Sequence, residues 1–209
     1  MAEPLTPGKL LDKYPIISDQ VSRAQLEVIL NELQKVLDRG VPGDIVEFGC
    51  YIGTTSVFIQ RMLLDRREKK SFHVYDSFEG LPEKTNEDAS RAGEQFQAGE
   101  LSVSKKQFIH EFQKANQPLP VIHKGWFADL NTSDVPEQIA FAFLDGDFYT
   151  SIKDTLKLVW PRMQPGGVVI IDDYAREALP GAARAVHQFL PSAVTSRIRT
   201  AHNMGVIPL

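Results

Sequence analysis

The chain has 209 residues, 43% of them hydrophobic and 24% charged, with a formal net charge of −4. That is length for one good core and an ordinary globular composition, and the lack of a long basic stripe argues against nucleic acid as the main partner. A single cysteine, Cys50, excludes an intramolecular disulfide framework, and neither a signal-like start nor an apolar run near the ~18 residues of a membrane span is present, so the expected setting is the cytoplasm with no membrane partner.

Residues 1–17, rich in Pro and Gly, read as an irregular arm. Apolar residues at helical spacing (Val21, Ala24, Val28, Leu33, Val36, Leu37) then predict a helix over 19–39, capped by Ser18 or Asp19 and stopped by Gly40. This helix can pack on its own sheet or against a second subunit of a homo-oligomer. Residues 1–40 are thus an arm and a helix ahead of a domain over 41–209, a single domain overall.

From residue 44 short apolar runs alternate with amphipathic stretches. Strands are expected near 44–49, 72–76, 120–124, 139–145 and 167–172, with helices near 54–66, 102–115, 150–163 and 180–190. Strands separated by helices imply a mostly parallel sheet covered on both faces, and the tail can add two strands joined at His202–Asn203. The basic cluster Arg66, Arg67, Lys69 and Lys70 suits a helix end. Residues 77–101 are polar and aperiodic, a length of loop that is usually functional or disordered, and a substrate-side lid is the favoured reading.

In an open α/β sheet, ligands bind beyond the carboxyl ends of the strands. Each expected strand here ends in Gly or Asp: Gly49, Asp76, Gly125, Asp145 with Asp147, and Asp172 with Asp173. Gly49 permits a tight turn and close backbone approach. Tyr51 stands where a dinucleotide fingerprint would have its second glycine, so a nucleoside with an amino-acid tail fits better than a pyrophosphate. Asp76 is placed to accept from ribose hydroxyls, and Trp126 and Phe127 offer flat surface to a base. An ordinary turn, a cap and core packing are the plain alternatives for these three places.

The four aspartates carry the most chemistry. Two unit charges about 4 Å apart repel by about 4 kcal/mol at an effective dielectric of 20. Relief comes from protonation, from a basic partner (Arg176, Lys153 and Arg184 are near in sequence) or from a hard divalent ion with oxygen ligands. Mg²⁺ suits several carboxylates; solvated caps are the alternative. His73, within a strand, and His187, on a helix, read as structural; His110, His123 and His202 show no interpretable spacing, and Cys50 reads as a small packing residue.

The motifs "VEFGCYIGTTS", "YDSFEGLP", "KGWFADL", "FLDGDFYTSIKDTL" and "PGGVVIIDDY…LPGAARAVHQF", in that order over about 44–190, resemble the macrocin O-methyltransferase family. The resemblance implies a Rossmann-like class I methyltransferase with a seven-stranded, mostly parallel sheet. It implies Mg²⁺-dependent methyl transfer from S-adenosylmethionine to a hydroxyl of a sugar or glycosylated natural product, a small polyhydroxylated acceptor. It would assign Asp145, Asp172 and Asp173 to the metal and Asp147 to general-base duty. Glu47, Gly49, Asp76 and Ser77 would hold the cofactor, with Trp126 near its adenine, and Tyr51, Thr54, Ser56, Gly125 and Asp145 complete the expected cofactor set.

Three other readings compete. A metal-dependent methyltransferase of phenols or catechols would have a lysine soon after its first metal aspartate and Asp-Asn in place of Asp172–Asp173; here Phe148 follows Asp147. An NAD-linked oxidoreductase lacks its glycine pattern. A non-catalytic S-adenosylmethionine-binding protein would have no use for four aspartates.

Overall fold

The computed structural model describes residues 3–209; whatever was expected of residues 1 and 2 lies outside them. Seven strands form one sheet in the order β3-β2-β1-β4-β5-β7-β6. They are β1 Asp44–Phe48, β2 Phe72–Asp76, β3 Val121–Lys124, β4 Ile139–Leu144, β5 Met163–Ile171, β6 Arg199–Ala201 and β7 Met204–Pro208. The first five pair in parallel, β7 runs antiparallel to β5, and β6 hairpins back onto β7. The hairpin turns at His202 and Asn203, both at positive φ (48° and 68°), the conformation a two-residue turn needs to match the strand twist.

Side-chain alternation sorts the core into two layers. Ile45, Val74, Phe141, Phe143, Val168 and Ile170 face helices α1 (Pro7–Lys13), α2 (Arg23–Asp38), α3 (Thr54–Asp65) and α4 (Lys105–Lys114). Val46, Phe48, Ala142, Leu144, Val169 and Ile171 face α5 (Tyr149–Val159) and α6 (Pro180–Phe189). Every residue of β4 is buried, as expected of a central strand covered on both sides.

Several boundaries differ from the sequence reading. The expected irregular arm contains α1, which Thr6 caps with its side chain and Pro7 opens at the first turn. Pro and Gly suggested irregularity, but Pro at the first helical position costs no hydrogen bond. Helix α2 starts at Arg23 because Ser22, not Ser18 or Asp19, forms its capping box with Gln25. Leu26, Ile29, Leu30 and Leu33 bury it in the chain's own core. Strand β5 begins at Met163, where a helix was expected to end, and its register with β4 shifts between Ile139 and Phe141. Gly166, at φ 84°, lets the irregular stretch stay in the sheet. Residues 77–101 hold two short 3₁₀ turns, Asn86–Asp88 and Arg91–Gly93.

Candidate active site

The strand order reverses between β1 and β4, and the crevice at their carboxyl ends is where this topology places ligands. Gly49 sits there at φ 83°, and a Cβ on it would lie 1.8 Å from the Asp145 carbonyl oxygen. Only glycine lets the two strand ends close up this way. A Cβ on Gly125, in contrast, would meet no protein atom within 4 Å, so that glycine leaves open space rather than relieving a clash.

An open cavity with about 180 Å³ of water-accessible space lies over these ends. Of the expected residues, Gly49, Tyr51, Asp76, Ser77, Gly125, Trp126, Asp145, Asp147, Asp172 and Asp173 line it. Glu47, Thr54 and Ser56 do not; all three are buried beneath it. Ser56 Oγ donates to Glu47 Oε2 at 2.5 Å, and Thr54 Oγ1 shares a 3.1 Å hydrogen bond with Ser18. These bonds tie Glu47, Thr54 and Ser56 to the scaffold, and none of the three lines the cavity. Burial pushes the Glu47 carboxyl up to about 8, against the lowering effect of Ser56.

Asp76 Oδ2 accepts from the backbone N–H of Cys50 (2.8 Å) and Tyr51 (3.2 Å), and Oδ1 accepts from that of Phe78 (2.7 Å). Its carboxylate ties the loop after β1 to the start of the 77–101 segment, with lone pairs left for ligand hydroxyls. Phe127 turns partly inward, its ring edge-on to Phe48 at 5.5 Å, while also lining the cavity beside Trp126.

The four aspartates come together as expected from neighbouring strand ends. Asp172 N–H bonds to Leu144 C=O, and Asp145 N–H to Phe48 C=O, which fixes the tips side by side. Asp172 and Asp173 are only 7% and 5% exposed. Burial, then mutual repulsion, raises Asp145 and Asp147 well above the usual carboxylate range and pushes Asp172 up to about 7. Asp173 is also raised by burial, though Arg176 opposes the shift. Asp147 and Asp173 lie against each other, and their contact raises Asp147 and lowers Asp173.

Backbone strain collects here too: Tyr51, Leu101, Asp147 and Asp173 are cavity-lining non-glycine residues at positive φ. Asp147 heads a three-residue turn closed by Phe148 N–H to Gly146 C=O at 2.5 Å.

Of the basic residues near in sequence, only Arg176 meets the cluster, with Nη1 at 3.1 and 3.3 Å from the two Asp173 oxygens. Lys153 lies over the Tyr149 ring, and Arg184 donates to Glu87 C=O. One guanidinium for four clustered carboxyls, two buried and two half-buried, leaves the site short of positive charge, and the donor set is all oxygen; both properties fit a hard divalent cation. Among the described residues, no three His, Cys, Asp or Glu side chains are already arranged to hold a metal ion, so ligation would require the carboxylates to rotate.

The sequence reading missed Gln20, Leu81, Phe96 and Thr150, which also line the cavity, and Gln25, which touches Asp172. No pattern marks an isolated glutamine or a lone aromatic in a long loop.

The model of the Macrocin-O-methyltransferase (TylF) family matches residues 11–207. The chain belongs to this family. It is 33% identical over 90% of its length, and over 74% of the relative's, to the 8-demethyl-8-(2,3-dimethoxy-alpha-L-rhamnosyl)-tetracenomycin-C 4'-O-methyltransferase of Streptomyces olivaceus. It is 30% identical to the mycinamicin III 3''-O-methyltransferase of Micromonospora griseorubida, covering 85% of this chain and 72% of that one. Among solved structures it resembles the O-methyltransferase NovP, with a TM-score of 0.76 and 26% identity over 90% of this chain and 80% of that one. The macrocin O-methyltransferase family and the class I sheet make this chain an S-adenosylmethionine-dependent O-methyltransferase. No described helix is long and apolar enough to cross a membrane.

Proposed function

We propose that the chain methylates a hydroxyl of a sugar or glycosylated natural product, with Mg²⁺ at Asp145, Asp172 and Asp173 and with Asp147 as the general base. The observation that carries this reading is the set of four carboxyls at the tips of β4 and β5, Asp172 and Asp173 buried and Asp145 and Asp147 half-buried, opening into the same cavity as Gly49 and Asp76. The relatives named for rhamnosyl-tetracenomycin and mycinamicin substrates support a glycosidic acceptor.

When bound, S-adenosylmethionine supplies an electrophilic sulfonium methyl and Mg²⁺ a positive charge that lowers the acceptor hydroxyl's pKa. The chain's residues do the rest. Gly125 leaves room for the donor to approach the chain's backbone, Gly49 lets the β1 and β4 ends close beside it, Asp76 accepts from its ribose hydroxyls, and Trp126 flanks its base. Asp147, lifted into the cavity by its strained turn, takes the acceptor's proton as the oxygen forms its bond to the methyl carbon and the sulfur keeps the electron pair. Segment 77–101 walls the acceptor side through Leu81, Pro82, Phe96 and Leu101.

The test is incubation with methyl-labelled donor against a panel of glycosides and catechols, in Mg²⁺ and in chelator, with the product mapped by mass spectrometry and NMR. Label on a sugar oxygen, lost in chelator and restored by Mg²⁺, is expected. Label on catechols alone would overturn the acceptor assignment, and full turnover in chelator would remove the cation.

A further inference from the structure

Helix α2 reaches the acid cluster through its own cap. Ser22 N–H and Ser22 Oγ both bond to Gln25 Oε1, at 3.0 and 2.7 Å, and Gln25 N–H bonds back to Ser22 Oγ at 3.2 Å. A backbone N–H can only donate, so the amide oxygen must face Ser22 and the amide nitrogen must point the other way. There Nε2 donates to Asp172 Oδ1 at 3.3 Å, across 147 positions of sequence. Gln25 is half-buried and Asp172 buried. A capping box that fixes a side chain's orientation and aims its free donor at a buried carboxylate does more than finish a helix.

We infer that Gln25 is a positioning residue: the α2 cap holds its amide so that it orients the Asp172 carboxylate. The inference deepens the cation reading and rests on it for its effect on Mg²⁺, though not for the contact itself. Residues that orient a metal's ligands typically change affinity 10- to 100-fold when removed.

The molecule contains its own control. Helix α4 opens with the same box: Ser104 N–H and Oγ bond to Gln107 Oε1 at 2.9 and 2.7 Å, and Gln107 N–H to Ser104 Oγ at 3.2 Å. Gln107 is exposed, does not line the cavity, and makes no hydrogen bond to any of the four aspartates.

The experiment compares wild type, Gln25→Ala and Gln107→Ala. Both variants keep the N-cap serine and lose only the reciprocal half of a capping box, so both should show the same small drop in Tm. Mg²⁺ calorimetry should show binding weakened about 10- to 100-fold in Gln25→Ala and unchanged in Gln107→Ala. Carbon-detected NMR at fixed pH should show the Asp172 carboxyl resonance displaced in Gln25→Ala only, whether or not metal is present. An Asp172 resonance at its wild-type position in Gln25→Ala overturns the inference. Wild type that binds no Mg²⁺, with the resonance still displaced in Gln25→Ala, keeps the positioning role and overturns the cation reading instead.

Discussion

Asp147 differs from Asp145 and Asp172 in how the backbone presents it. Its φ of 57° and the short turn around it project the side chain beyond the strand end, whereas Asp145 and Asp172 are held by ladder hydrogen bonds. A residue kept in a sparsely populated conformation costs about 1–3 kcal/mol, and such strain gathers where function requires a fixed direction. Asp147→Asn keeps the shape and removes the base. Turnover should fall about 10²- to 10⁴-fold, the usual worth of positioned base catalysis, while donor affinity measured by calorimetry stays within a few-fold. Unchanged turnover would take the base role from Asp147. The strand-end aspartates were legible in the sequence because acids after apolar runs are conspicuous. That Glu47, Thr54 and Ser56 lie outside the cavity lining was not legible, because a motif does not tell which side chains face the cavity and which face the scaffold.

At the scale of elements, segment 77–101 is tethered rather than free. Asp88 is buried, with Oδ2 accepting from Thr85 N–H and Oγ1 at 2.8 and 2.7 Å and Oδ1 accepting from Tyr149 N–H at the start of α5 at 2.7 Å. A Cβ on Gly93 would lie 2.0 Å from Ala178 C=O, so the segment also sits tight against the run into α6. Polar composition announced a loop; nothing in it announced that one of its acids is an internal cap for α5. Removing that cap leaves a buried N–H unpaired, a loss of about 1–3 kcal/mol. Asp88→Ala should therefore lower Tm, speed amide exchange across 82–100 and raise the acceptor KM more than it lowers kcat. Exchange rates indistinguishable from wild type would show that the segment is held by its other contacts. The strands and main helices were readable from periodicity, since β4 and the second half of β5 are unbroken apolar runs. The start of β5 was not, because a helix was expected to run to 163 and the strand to open at 167, while a shifted register keeps 163–166 in the sheet.

For the whole molecule, the buried titratable groups set opposing pH dependences, and their windows separate them. His73 Nδ1 lies 3.2 Å from His123 Nε2 across β2 and β3, a contact that histidine spacing did not reveal. Burial lowers both; Asp44 opposes this at His73, and at His123 the neighbouring His73 and Lys105 add to it while Asp134 opposes it. Below their ordinary pKa of about 6.5 the unfolded chain therefore takes up protons that the fold refuses, so this pair makes stability rise with pH, and only below about 6.5. The carboxyls work the other way. Glu47 at about 8 and Asp172 at about 7, with Asp145, Asp147 and Asp173 also raised, keep protons that the unfolded chain releases above about pH 4.5. Their contribution falls as pH rises and has fully fallen only above the folded values. Between pH 6.5 and 8 the carboxyls dominate these two sets, and Glu47 alone accounts for about 2 kcal/mol there, about 4–8 °C in Tm. In chelator, Tm should drop across that window, and Glu47→Gln should flatten part of the drop. Saturating Mg²⁺ should flatten more, because a cation bound only by the folded chain adds stability that grows as the aspartates ionise. A Tm that stays level or climbs from pH 6.5 to 8 in chelator would mean the cluster is already ionised in the fold, its charge met by protein groups alone, and the case for a divalent ion would lose its physical basis.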